Sequence, residues 1–145
     1  FTSKIRHTIF PLVSWARRCL KETGPIVSVL AAVLVAAVAA VHLYILVLEM
    51  FLWRTSRGRR AFGTTAEFAE STATMAANQG LYNGFLAAGL LWSFAAGHAT
   101  FQFRVFFLLC VLIAGLYGAL TGVRTALFAQ SLPAALALVA VGIAG

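Results

Sequence analysis

The stretch PIVSVLAAVLVAAVAAVHLYILVLEMFLW, residues 25–53, decides the fold, because His42 and Glu49 are its only ionisable side chains. As a helix it is about 42 Å long at 1.5 Å per residue. That exceeds the roughly 30 Å hydrocarbon core of a bilayer, so a spanning helix here must tilt or protrude. Pro25, following Gly24, is placed to open the helix as its first-turn proline.

Three further apolar stretches follow at 75–96, 101–122 and 125–144. With the first, taken as 26–53, they give four crossings, about what a chain of this length can supply at about 20 residues per span plus connections. The chain is 61% hydrophobic and 10% charged, against about 25% charged in a soluble domain. A soluble enzyme or nucleic-acid-binding domain is therefore excluded. The eleven Lys and Arg outnumber four Glu, giving +7, and they flank the apolar stretches where lipid headgroups are the natural partner. Cys19 and Cys110 sit at different depths and imply no disulfide.

The reading is an all-α membrane protein: a four-helix transmembrane bundle over 25–145, preceded by a basic amphipathic surface segment over 1–24. In that segment Ile5, Ile9, Leu12, Val13, Trp15, Ala16 and Leu20 share one face, opposite Lys4, His7, Ser14, Arg17, Arg18 and Lys21. Pro11 allows two shorter pieces, and a disordered basic tail is the alternative. Arg17, Arg18 and Lys21, with Arg57, Arg59 and Arg60 of the loop over 54–74, are the expected lipid-headgroup contacts. In the same loop Thr64 and Glu67 have capping-box spacing, and a helix from near Thr65 is expected to run into the second span. The fourth span opens at Thr125 or only at Leu132, and Pro133 frees a carbonyl near Ala129 and favours a kink. Basic residues divide six to five between the two sides when Arg104 is counted, which does not settle orientation.

Polar side chains inside the spans are the best functional evidence, since an acid at mid-helix costs about 2.5–3.5 kcal/mol on insertion scales. His42 and Glu49 are seven residues apart, nearly on one helix face. Asn78, Gln79, Tyr82 and Asn83 open the second span, with 78/82 and 79/83 stacked. Tyr117 and Thr121 end the third, and Arg124 and Gln130 open the fourth. Glu49 and these residues of the other three spans lie at the ends facing the arginine loop, so the sequence predicts one polar cavity or hydrogen-bond network around Glu49. A carboxylate there calls for a proton, a cation, or a partner such as Arg124 or His42. The competing structural reading is that these groups only join helices, with Gly80/Gly84 and Gly118/Gly122 allowing close contact. No metal site is expected: one His, one Glu and neutral amides fall short of a zinc ligand set, and no catalytic motif or cofactor site is present.

The segments His42-Leu43-Tyr44-Ile45, Leu48-Glu49-Met50-Phe51-Leu52-Trp53, Arg57-Gly58-Arg59-Arg60-Ala61-Phe62-Gly63, Glu67-Phe68-Ala69 and Ala76 to Gly89 (AANQGLYNGFLAAG) resemble the domain of unknown function 1304 family. The resemblance covers about 27–144, including the Gln130 to Ala137 stretch with Pro133. It implies a small four-span membrane protein of a family found mainly in bacteria, singles out His42, Glu49, Asn78, Gln79 and Asn83, and supplies no activity. Residues 1–24 depart from the family, and the chain begins with Phe rather than Met. Its basic, nearly acid-free leader suits an organellar targeting remnant or a mature surface helix.

Two functions are then expected. The first is a non-catalytic accessory subunit of a larger membrane complex, packed against other membrane subunits and lipid in an organellar inner membrane such as that of a respiratory complex. The alternative is a stand-alone protein, in a bacterial plasma membrane for example, that binds or transports a small ligand, ion or proton at Glu49, His42, Asn78 and Asn83.

Overall fold

The computed structural model describes the backbone of residues 2–145 and the side chains of residues 24–145. The side chains of the surface segment expected over 1–24, Arg17, Arg18 and Lys21 among them, lie outside the described residues. The helices are α1 (Thr2–Met50), α2 (Ser56–Phe62), α3 (Ala66–Trp92), α4 (Thr100–Leu120) and α5 (Leu132–Ala144), with a 3-10 turn at Gly97–Ala99 and a π-helical turn at Leu127–Ser131. No strand occurs among the described residues.

Three segments are long and apolar enough to cross a membrane: Gly24–Met50, Gly97–Leu120 and Leu127–Ala144. In the first only 28% of the most apolar window is buried, so its large side chains, Ile26, Val29, Leu30 and Val33, point outward. Such an apolar exterior suits lipid and is rare in water. The 27-residue α3 matches them in length, but Asn78, Gln79 and Asn83 lower its apolarity.

The long helices form a ring in which α1 packs on α3 and α5, and α4 closes it by packing on the same two. Thus α1 and α4 face each other across the diagonal. Apolar residues line the centre: Ala31, Val35, Val38 and Ala39 of α1 meet Leu90 of α3, Leu108 and Val111 of α4, and Ala134, Ala137 and Val141 of α5. His42 continues the α1 stripe and is fully buried.

Several boundaries differ from the sequence reading. Helix α1 passes through Pro25 instead of opening on it, since Gly24 is already helical. It ends at Met50, and Phe51 to Arg54 form turns. The arginine loop contains a helix of its own, α2, capped by the Thr55 hydroxyl accepting from Gly58 N–H and closed by Gly63 at φ 66°. That left-handed conformation is what glycine supplies at a helix end.

The start of α3 is displaced by one residue from the expected Thr64/Glu67 box. Thr65 is the N-cap, accepting from the Phe68 amide at 3.2 Å, because that residue, three positions after the cap, carries the free N–H a hydroxyl can reach. Glu67 is therefore one position too early to close the box. Its carboxyl is held below the usual carboxylate range by hydrogen bonds with its own backbone amide and the Thr65 hydroxyl. A lowered carboxyl favours folding at neutral pH, and its contribution fades as acid protonates the folded form. Thr65→Ala is expected to lower stability by about 1 kcal/mol, measurable by denaturant titration in detergent.

The last span begins as the π-helical turn, and Pro133 falls in the first turn of α5. There its missing N–H is tolerated, so the irregularity precedes the proline. Gly118 and Gly122 do not form one close-packing stripe: Gly118 faces Ala126, while Gly122 adopts φ 118° in the turn after α4.

Candidate functional site

The site begins where α3 passes closest to α1. A Cβ on Gly80 would lie 2.6 Å from Met50 Cγ, 3.1 Å from Glu49 Cβ and 3.1 Å from the Met50 backbone nitrogen. Only hydrogen fits, and the helices approach accordingly. Three residues on, and so near the same face, Asn83 Nδ2 donates to Glu49 Oε2 at 2.9 Å and to the Gln79 carbonyl at 3.1 Å. Glu49 and Asn83 are each half-buried.

Beside this pair lies an open cleft of about 360 Å³ lined by Glu49, Met50, Phe51, Trp53, Arg54, Ala73, Thr74 and Ala77. Its walls follow from the early end of α1, which turns Phe51 to Arg54 back against α3. Trp53 Nε1–H donates to Thr72 Oγ1 at 3.1 Å, and the Trp53 ring packs on Phe62 of α2 with centroids 4.9 Å apart. Arg54 Nε pairs with Glu70 at 3.0 Å. With both side chains exposed, that pair orients more than it stabilises. Among the described residues it is the one ion pair, so no cation lies against Glu49.

Of the expected polar network, the structure joins Glu49 to Asn83 alone. His42 stands two turns deeper in the bundle, its Nδ1 2.9 Å from the Val38 carbonyl. A carbonyl only accepts, which places the proton on Nδ1, and Nε2 is buried without a partner. Asn78, Gln79 and Tyr82 lie on the outer face of α3, exposed. Tyr117 is 70% exposed on α4, and the Thr121 hydroxyl bonds back to Tyr117 and Gly118 carbonyls of its own helix. Arg124 is exposed and Gln130 half-buried in the α4–α5 connection. The residues of the expected single network are thus divided: Tyr117 and Thr121 stand on α4, diagonal to α1, Arg124 and Gln130 stand in the α4–α5 connection, and none of the four is hydrogen-bonded to Glu49.

The loop arginines are partly engaged within the chain. Arg57 Nη2 lies 3.5 Å from the Tyr44 hydroxyl, with its guanidinium 5.6 Å from the ring centroid, and Arg59 Nη1 donates to the Arg54 carbonyl at 2.7 Å. Arg60 is exposed. Sequence reading missed Trp53, Arg54 and Thr74 as cleft residues. The available signal was the Arg54/Glu70 charge pair across one connection.

Among the described residues no group of three or more His, Cys, Asp or Glu side chains could hold a metal ion, and Glu49 with its neutral neighbours offers no ligand set.

A model of a protein family of unknown function, DUF1304, matches residues 27–142. A protein of Lactococcus lactis subsp. lactis (strain IL1403), named "Uncharacterized protein YpaA", is 31% identical over 114 residues, covering 77% of this chain and 96% of the relative. No solved structure matches. The matched region takes in both halves of the Glu49–Asn83 pair and all the cleft walls, and over that length the chain belongs to the DUF1304 family.

Proposed function

We propose that the protein is a four-span integral membrane protein that binds a small organic ammonium group in the cleft beside Glu49. The observation that carries this reading is a half-buried carboxylate held by one neutral amide, Asn83, with no ion pair among the described residues, bordering a cleft with aromatic walls whose one guanidinium, Arg54, is paired with Glu70. A carboxylate in such a place favours a cationic guest, and aromatic faces such as those of Phe51 and Trp53 add attraction for an ammonium. The cleft volume lies within the roughly 300–1,000 Å³ of small-molecule sites. Counting α3 as the fourth span is supported by its length and by its place in the ring between α1 and α4.

The test uses tetramethylammonium as probe and Trp53 emission as readout, in the full chain with Trp15 and Trp92 replaced by Phe. A saturable emission change is expected, with Glu49→Gln weakening it at least tenfold, about 1.4 kcal/mol, while the far-ultraviolet circular dichroism is unchanged. An unchanged response in Glu49→Gln overturns the reading. The accessory-subunit reading is favoured by a different feature, the polar side chains on the lipid-facing side of α3, which call for a covering partner. The bacterial relative fits a plasma membrane location.

A further inference from the structure

The outer face of α3 carries Ser71, Thr74, Asn78 and Tyr82 at successive steps of three and four residues, with Gln79 beside them, and all five are exposed. Residues so spaced form one stripe. Its place along the bundle is marked by the Trp53–Thr72 hydrogen bond, which brings the end of the α1 apolar run level with Thr72. At 1.5 Å per residue Asn78 lies about 9 Å, and Tyr82 about 15 Å, further along α3 from that level. Around them Leu81 and Phe85 point outward, as lipid-facing residues do. An amide left in hydrocarbon without a partner is costly. Asn83 on the inner face is bonded, whereas no hydrogen bond among the described residues reaches the side-chain amides of Asn78 or Gln79.

The chemistry of the stripe identifies what covers it. From Ala73 to Trp92 the helix has no charged residue, so no oppositely charged surface is called for. Each amide, and the Tyr82 hydroxyl, is both donor and acceptor, which makes the stripe complementary to itself. A two-fold axis along it brings like residues face to face, and interhelical amide hydrogen bonds are an established glue between membrane helices. Ser71 and Thr74 are small enough to let two α3 helices approach. Thr74 also lines the cleft, so a second copy seated here borders the cleft mouth. We propose that the outward stripe of α3, centred on Asn78, Gln79 and Tyr82, is the interface of a two-fold dimer of this chain in the membrane.

The test is disulfide trapping in isolated membranes, in the full chain with Cys19 and Cys110 replaced by Ser. Asn78→Cys should give a species of twice the monomer mass under copper–phenanthroline. Ile113→Cys, on the outward face of α4 and 63% exposed, should not. In phosphatidylcholine vesicles, energy transfer between labelled chains should show a dimer that the Asn78→Leu/Gln79→Leu variant weakens about tenfold, with Trp53 emission unchanged as evidence of intact folding. Equal trapping at 78 and 113, a dimer affinity unmoved by the double variant, or trapping of Asn78→Cys only to a protein of different mass overturns the proposal. The last outcome would assign the face to another subunit.

Discussion

Gly115→Val is expected to destabilise the protein by about 2–3 kcal/mol, more than any single substitution on the lipid-facing surface. A Cβ at this position would overlap Ser131 Oγ and lie 2.9 Å from both Gln130 Cβ and the Ser131 backbone nitrogen. The obstruction is backbone in the π-helical turn, so no rotamer change relieves it. Ser131 is fixed in turn, its hydroxyl donating to the Leu112 carbonyl at 3.3 Å, and pushing it outward breaks that link between α4 and the turn. Unfolding in detergent, followed by circular dichroism against added denaturant, measures the loss. Gly142→Ala on α5 is the control, because nothing lies within 4 Å of its Cβ position. It should be neutral or gain a few tenths of a kcal/mol from helix propensity. A Gly115→Val protein as stable as this control would show that α4 and the turn are not packed as described.

Gly80→Ile should have the next largest effect, about 1–3 kcal/mol, together with loss of the Trp53 response to tetramethylammonium. Met50 Cγ could swing aside, but Glu49 Cβ and the Met50 nitrogen, each 3.1 Å from the added Cβ, are anchored in α1. The larger side chain therefore separates α3 from α1 and takes Asn83 away from Glu49. A double-mutant cycle makes this specific. Asn83→Leu removes the hydrogen bond without separating the helices, so adding it to Gly80→Ile should change the probe response no further. Additive effects of the two substitutions on that response would overturn the account.

The two glycine sites differ in how readable they were. Gly80 and Gly84 stand four apart in a long, largely apolar helix, and that spacing alone predicts a close helix contact, which the structure places against α1. Gly115 carries no such signature, because its partner is an irregular turn. The same difference runs through the candidate site. Depth in a helix follows from residue number at a fixed rise, so the sequence located Glu49, Asn78, Asn83, Tyr117 and Arg124 at one level. Azimuth depends on which helices touch. With α4 diagonal to α1, Tyr117 and Thr121 turn away, and Asn78 lies on the opposite side of α3 from Gly80. Helix α2 was read as loop because seven residues containing three arginines show no apolar period; Thr55 and Gly63 were its only marks. The cap of α3 shifted by one because adjacent threonines both satisfy a motif that backbone geometry grants to one.

The stop at Met50 sets how far the mouth of the cleft can be altered separately from the helical scaffold. Phe51, Trp53 and Arg54 belong neither to the crossing helix nor to α2, yet they line the mouth together with Ala73 and Thr74. Their identity sets the chemistry of the opening, while the buried apolar residues at the centre of the ring hold the helices together. These few positions can therefore change in composition without altering how the four long helices pack.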